Sequence, residues 1–150
     1  MLNSQQIAEI LPQAYPFIMI DRVLEFKKGE SLTAVKNITG SEWVFEGQAH
    51  RSDVFPETLL IEAASQAALV LYQLSKIKEG EKRPKYILGK ITAEFEDFIG
   101  AGEQLKVVAF ANKMLDTGGY SEIKLSKSGR NMANIKIIYS VIRQGLDGEE

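Results

Sequence analysis

The stretch from Pro56 to Ile77, PETLLIEAASQAALVLYQLSKI, decides the fold of this 150-residue chain. After Pro56 it contains no glycine or proline, and its leucine, isoleucine and alanine residues predict one helix of roughly five turns over 57–77. Proline suits the first turn of a helix, because the N–H that it lacks needs no intrahelical partner there. Apolar residues cover most of the circumference, so we expect this helix to be buried nearly all round.

Strand patterns lie on both sides of this helix. Before it, residues 18–26 and 31–38 are rich in β-branched and apolar residues, and Lys28-Gly29 between them predicts a hairpin turn. After it, turns containing glycine separate four further predicted strands, at 86–99, 103–116, 119–127 and 131–143. No second long helix is available, so the helix must bury its apolar surface against the sheet. We therefore predict an α+β fold in which a curled antiparallel sheet wraps around one long central helix.

The two ends of the chain show weaker patterns. Ser4 is expected to cap a short helix, and Pro12 and Pro16 then impose an extended passage toward the first strand. The polar tail 144–150 is expected to be loose. A chain of this length is usually one domain, so we assign residues 1–150 to a single domain.

Composition argues against several classes of function. The 18 basic and 20 acidic residues are spread along the chain and give a formal charge of −2, which disfavours binding to nucleic acid or to an anionic membrane. The absence of cysteine and the single histidine exclude thiolate catalysis and metal sites rich in these residues, and we expect no metal and no other cofactor. No apolar run is long enough to span a membrane, so the expected location is the cytoplasm.

Residues 39–56 break the strand pattern in a segment that is too irregular for a helix and too long for a simple turn. Such segments often carry functional side chains. Gln48 offers an amide that can orient a water or polarise a carbonyl but cannot accept a proton at neutral pH, although a surface amide is the simpler interpretation. His50 is the one imidazole of the chain and is suited to proton transfer near pH 7, although most lone loop histidines are structural or solvated.

Glu62 begins a polar stripe on the long helix that continues through Ser65, Gln66 and Gln73. A carboxylate on a buried helix needs a partner or a neutral form, which makes Glu62 a candidate acid or base. The stripe fits equally well a helix face that is turned to solvent or to a subunit contact. At the start of the helix, the backbone N–H groups of Glu57 and Thr58 are free to polarise a substrate carbonyl.

Several blocks of the chain follow one pattern in both order and spacing. They are ILPQAYPF at 10–17 with IDRV at 20–23, FEG at 45–47, VFP at 54–56 and LLIEAASQ at 59–66. Together with the region around 95–105, these blocks resemble the FabZ-type β-hydroxyacyl-acyl-carrier-protein dehydratases over roughly residues 7–142. The resemblance implies a hotdog fold, in which two subunits form a dimer with active sites at their interface.

The resemblance also implies roles for individual residues. In that family a histidine handles the α-proton, and a helix carboxylate from the other subunit assists departure of the β-hydroxyl. Glu62 matches the carboxylate, while Gln48 stands where the histidine is expected. The residues implied to contact substrate are Gly47, Pro56, Glu57, Thr58 and Gln66. The chain also departs from the family where Gln13-Ala14 replaces a His-Arg pair and Glu57 replaces a glycine.

Three functions remain open from the sequence. The first is a dehydratase-like protein of fatty-acid or polyketide-type metabolism that is weak or inactive alone, because loss of a general base costs a factor of about 10² to 10⁴. Its activity would survive if His50 bends back into the missing position. Its partners would be an acyl thioester on acyl carrier protein or CoA and a second subunit, in a homodimer, a higher oligomer or a heterodimer with an active paralogue. The second is a hotdog acyl-thioesterase that uses Glu62 with Gln48, and the third is a non-catalytic acyl-binding or partner subunit.

Overall fold

The computed structural model describes residues 1–46 and 54–143, and the structural statements below concern these residues. In chain order the elements are α1 (Ser4–Ile10), β1 (Arg22–Lys27), β2 (Ser31–Asn37), α2 (Trp43–Glu46), α3 (Glu57–Lys76), β3 (Lys85–Phe95), β4 (Gln104–Leu115), β5 (Gly118–Lys127) and β6 (Arg130–Ile142). The six strands form one antiparallel sheet in the order β1-β2-β4-β5-β6-β3. The sheet curls around α3, which confirms the predicted α+β class and hotdog fold.

Helix α3 packs one face against the sheet, chiefly on β4 and β2. The residues at the centre of that face are fully buried, and three of them, Ala63, Ala64 and Ala67, are small enough for strands to approach closely. The opposite side is less covered than the sequence predicts, because Leu59, Leu69 and other apolar residues there are only partly buried. The expectation of burial nearly all round is therefore too strong for a single chain.

The start of the chain differs from the prediction in two details. Asn3 caps α1 in place of Ser4, because the Asn3 side chain accepts from the Gln6 N–H at 2.9 Å while the Gln6 side chain accepts from the Asn3 N–H. Strand β1 begins at Arg22, not at residue 18. The N–H of Met19 donates instead to the side-chain oxygen of Gln66 on α3, at 2.7 Å. This hydrogen bond fixes the chain to the helix before the first strand begins.

The remaining strands begin and end close to the predicted positions, apart from β3. Strand β3 ends at Phe95, four residues before the predicted end, because residues 96–103 form a loop that closes with a turn at 100–103. In that loop the buried Lys127 ammonium donates to the carbonyl of Phe98 at 2.6 Å. The short helix α2 lies in the segment that seemed too irregular for any helix, so that expectation is wrong for four residues.

The two edges of the sheet are covered to different extents. At one edge, Leu2 exchanges two backbone hydrogen bonds with Val23 of β1, at 3.1 and 3.0 Å. At the other edge, β3 pairs with β6 on one side, and no partner for its outer side occurs in residues 1–46 or 54–143. Ile87 and Leu88 of β3 are about half exposed.

Some sequence predictions fall outside the described residues. They concern Gly47, Gln48 and His50 in the segment before α3 and the loose tail 144–150. Within the described ranges, no helix is both long and apolar enough to cross a membrane.

Candidate active site

Glu62 lies in the second turn of α3, half-buried, with its carboxylate held by two amide side chains. Its Oε1 atom accepts a hydrogen bond of 2.8 Å from Nε2 of Gln66, one helical turn further along. The same oxygen accepts at 3.3 Å from Nε2 of Gln13, which lies in the extended passage between α1 and β1. Two donors on one oxygen fix the orientation of the carboxylate, and both contacts use Oε1 and not Oε2.

Gln66 joins α3 to the passage that precedes β1. It is fully buried, and its amide makes three bonds: Oε1 accepts from the N–H of Met19, while Nε2 donates to the carbonyl of Phe17 at 2.6 Å and to Glu62. Because partners within the chain occupy the amide, Gln66 supports Glu62 and the passage around it.

A cavity of about 170 Å³ lies beside the Glu62 stripe of α3, between that helix and strands β3 and β6. One part of its wall is polar and consists of Gln13, Glu62 and Ser65. Another part is apolar and includes Leu69, Leu88 and Ile137. The Ser65 hydroxyl donates to the Ile61 carbonyl at 2.9 Å, so it is free only to accept from a ligand. A ligand that fits this cavity has an apolar part and a polar group.

Two tyrosines complete the wall of the cavity. Burial raises the pKa of Tyr139 to about 12, and burial also raises the pKa of Tyr86 well above its ordinary value of 10.0. Both phenols are therefore neutral near pH 7 and act as hydrogen-bonding groups, not as bases. The hydroxyl of Tyr86 donates to Oε1 of Gln73 at 2.6 Å, whereas the buried hydroxyl of Tyr139 has no hydrogen-bond partner in the described part of the chain.

The start of α3 has no side-chain cap. Pro56 occupies the N-cap position, and its carbonyl accepts from the N–H groups of both Leu59 and Leu60, at 3.1 and 3.2 Å. For the N–H groups of Glu57 and Thr58, no acceptor is found among residues 1–46 and 54–143. Glu62 lies five residues after Glu57, which is about 7.5 Å further along the helix axis at 1.5 Å per residue.

The family follows from sequence comparison. The sequence model of the FabA-like domain family matches residues 11–141, which is most of the chain. The chain belongs to the FabA-like family.

Relatives of this FabA-like chain include 3-hydroxyacyl-[acyl-carrier-protein] dehydratases FabZ. The enzyme of Legionella pneumophila is 37% identical over 107 residues, which cover 71% of each chain. The enzyme of Buchnera aphidicola is 34% identical over 144 residues, which cover 96% of this chain and 86% of the relative.

Solved structures share the fold at low sequence identity. The dehydratase heterocomplex ApeI:P of Xenorhabdus doucetiae superposes with a TM-score of 0.76 at 12% identity, over 92% of this chain and 91% of that one. A thioesterase of Pseudomonas aeruginosa in which one glutamine is replaced by alanine superposes with a TM-score of 0.70 at 16% identity, over 95% and 96%.

The structure places some of the sequence-predicted site residues near one another. Glu62 lines the cavity, while Gln66 lies behind it, and Pro56, Glu57 and Thr58 mark the start of α3. Gly47, Gln48 and His50 lie outside the described residues. Sequence reasoning noted Gln13 only as a departure from the family pattern and did not predict its contact with Glu62. The 49 residues between the two positions explain why no local periodicity indicates that contact.

Proposed function

We propose that this FabA-like chain is a 3-hydroxyacyl-thioester dehydratase of altered, weak activity, with Glu62 as its acid. The observation that supports it is the Glu62 carboxylate, which lines a cavity of mixed polarity and is oriented by Gln13 and Gln66. In the reaction a base removes the α-proton, a C=C bond forms between the α and β carbons, and the β-hydroxyl leaves as water. Glu62 supplies the proton that the leaving hydroxyl needs.

The missing group in this proposal is a general base. Gln48 occupies the position expected for the family histidine, and an amide does not accept a proton at neutral pH. We therefore expect turnover that is lower than that of a complete dehydratase by a factor of about 10² to 10⁴. His50 is the one imidazole in the chain that can restore part of this loss.

Substrate binding in this proposal uses the start of α3. The N–H groups of Glu57 and Thr58, for which residues 1–46 and 54–143 supply no acceptor, polarise the thioester carbonyl. Gly47 and Pro56 are the other residues assigned to substrate binding at the start of the helix. The acyl group enters the cavity, and its carrier is acyl carrier protein or CoA. A cytoplasmic location is part of the same proposal.

A second subunit completes the proposed site. Leu88 lines the cavity yet is 51% exposed, so one wall of the cavity is open beside the outer edge of β3. A second copy that pairs along β3 would cover this wall and the neighbouring Ile87 and Ile138. A heterodimer with an active paralogue would cover it in the same way, and one neighbour in fold is itself a dehydratase heterocomplex.

The test is an assay of the purified protein with a 3-hydroxybutyryl thioester, following both loss of water and release of free thiol. We expect slow dehydration that Glu62→Gln abolishes and that Glu25→Gln, an exposed carboxylate on β1, leaves unchanged. Gln48→His is expected to raise the rate by about 10² or more. His50→Ala lowers the rate only if His50 supplies the residual base.

Two outcomes would contradict the proposal. Thiol release without dehydration, lost in Glu62→Gln, would establish a thioesterase that uses Glu62 with Gln48. No reaction of either kind, even in Gln48→His, would leave a non-catalytic acyl-binding or partner subunit.

A further inference from the structure

We propose that Gln13 recognises the 3-hydroxyl group of the ligand and positions the Glu62 carboxylate against it. This inference rests on the proposed function, because it names the part of a 3-hydroxyacyl ligand that the polar wall of the cavity binds.

The orientation of the Gln13 amide follows from its neighbour. Oε1 of Glu62 already accepts from Gln66, so the proton of the acid form lies on Oε2 and Oε1 only accepts hydrogen bonds. The amide nitrogen of Gln13 must therefore face it, because the reversed amide would place two acceptors against each other. The observed contact of 3.3 Å is between Nε2 of Gln13 and Oε1 of Glu62. The carbonyl oxygen of the amide is therefore the end that is available to a ligand.

That carbonyl oxygen lacks a donor. Oε1 of Gln13 is buried, and no hydrogen-bond partner for it occurs among the described residues. A buried acceptor without a partner is costly, and bulk water does not reach this one. The Ser65 hydroxyl in the same wall already donates its hydrogen to the Ile61 carbonyl, so it does not donate to Gln13. A hydroxyl group of the ligand can supply the hydrogen bond that this oxygen lacks.

The cavity has room for a ligand of this kind. Its volume of about 170 Å³ is many times the roughly 10–15 Å³ that one water molecule needs, so a short hydroxyacyl group can enter it. Gln13 and Glu62 both line it, and the last torsion of a glutamine side chain is broad, so a modest turn presents Oε1 to the cavity. A hydroxyl beside them donates to Gln13 and lies next to Oε2 of Glu62, the oxygen that carries the proton in the acid form and transfers it to the leaving group.

This arrangement has a consequence for the reaction. When Glu62 transfers its proton to the departing hydroxyl, the product is water with two O–H groups. The carbonyl oxygen of Gln13 accepts one of them, while its amide nitrogen still holds Oε1 of Glu62. Gln13 thus acts on the leaving group as an acceptor and on Glu62 as a donor.

The test is a binding experiment that needs no turnover. Its probes are amide analogues of 3-hydroxybutyryl-, 3-methoxybutyryl- and butyryl-pantetheine, in which NH replaces the thioester sulfur so that the acyl group stays attached. Affinities are measured by calorimetry. We expect the protein to bind the hydroxy analogue between about 2-fold and 12-fold more tightly than the butyryl analogue, as one neutral hydrogen bond provides. The methoxy analogue, which has no O–H to donate, should lose this preference.

Two variants separate recognition from shape. Gln13→Met keeps the length of the side chain but has neither donor nor strong acceptor, so the preference for the hydroxy analogue should vanish while the butyryl analogue still binds. Gln13→His offers one ring N–H and one acceptor nitrogen, so it should retain the preference. Thermal unfolding of each variant confirms that it is folded.

The outcomes distinguish the two proposals. Equal binding of the three analogues by the unaltered protein, or a preference that survives Gln13→Met, overturns the role of Gln13 and leaves the proposed function standing. Failure to bind any of the three analogues overturns both.

Discussion

The amide of Gln66 makes three hydrogen bonds, so a substitution at this residue affects both α3 and the extended passage before β1. Gln66→Met preserves the length of the side chain but removes the hydrogen-bond partner of the Met19 N–H and of the Phe17 carbonyl. We expect a loss of about 1–3 kcal/mol in the free energy of unfolding, the cost of a buried polar group left unpaired. Urea denaturation measures it.

Gln73→Met is the matched control for this prediction. Gln73 lies on the same stripe of α3 but is half-buried and accepts a single bond, from the Tyr86 hydroxyl. Its replacement should cost clearly less than that of Gln66. Equal losses at the two positions would show that helix packing, and not the three amide contacts, accounts for the effect.

Single residues also show what sequence can and cannot predict about the site. Glu62 could be identified because a lone carboxylate at helical spacing among alanines and leucines is unusual and needs a physical reason. The partners of that carboxylate were harder to predict. Gln66 seemed to be one member of a polar stripe, and only the folded chain shows that it is buried while Glu62 and Gln73 are half-buried.

Among the structural elements, the turn 100–103 fixes the chain just before α3. The N–H of Gly100 donates to the Glu103 carboxylate at 2.8 Å, and the buried Lys127 ammonium lies 3.2 Å from the same carboxylate. The backbone of Ile99 accepts from the N–H of Phe55, which immediately precedes Pro56. The turn therefore connects the strand ends to the start of α3.

Glu103→Gln tests this connection through its pH dependence. The hydrogen bond from Gly100 holds the pKa of Glu103 below its ordinary value of 4.5, with a further contribution from Lys127. A lowered pKa stabilises the fold above about pH 4.5, and that contribution is lost as the pH falls through the folded-state value. Glu103→Gln should cost a few tenths to about 1 kcal/mol at pH 7, as for partly exposed ion pairs.

The measurement is urea denaturation of both proteins between pH 7 and pH 3. The difference between the unaltered protein and Glu103→Gln should shrink as the pH falls, because protonation makes the Glu103 carboxyl neutral, as the amide of the variant already is. Glu94→Gln, which removes an exposed carboxylate from β3, serves as the control for net charge. A difference that stays constant with pH would mean that the charge of Glu103 contributes nothing to stability.

Elements were predicted best where local chemistry sets their ends. Gly29 and Gly129 adopt φ values of +71° and +76°, a conformation that favours glycine, and the strand ends that flank these two turns lie close to the predicted residues. The start of β1 was predicted wrongly because a side chain 47 residues away takes the N–H of Met19. The periodicity of apolar residues in the sequence predicts which face of an element a side chain occupies, but not which group accepts the hydrogen bond of its backbone N–H.

For the whole molecule, the sequence predicted the fold class because one long apolar helix needs a sheet to cover it. The same reasoning overestimated the burial of that helix within one chain. Three features lie in the same region: the partly buried side of α3, the open cavity wall at Leu88, and the outer edge of β3, which has no partner strand among residues 1–46 and 54–143. A second subunit at this edge explains the three features together.

The proposed assembly predicts that opposite edges of the sheet respond differently to the same change. Ile87 on β3 and Leu24 on β1 are 50% and 43% exposed, and both lie on edge strands. Ile87→Lys places a charge where the second copy would pack, so the dissociation constant of the dimer should rise at least about tenfold, equivalent to about 1.4 kcal/mol. Leu24→Lys, at the edge that Leu2 already covers, should leave it unchanged. Sedimentation equilibrium measures both, and a melting temperature that rises with protein concentration in the unaltered chain alone would agree. An unaltered protein that sediments as a monomer, or dissociation caused by Leu24→Lys and not by Ile87→Lys, would exclude β3 as the interface.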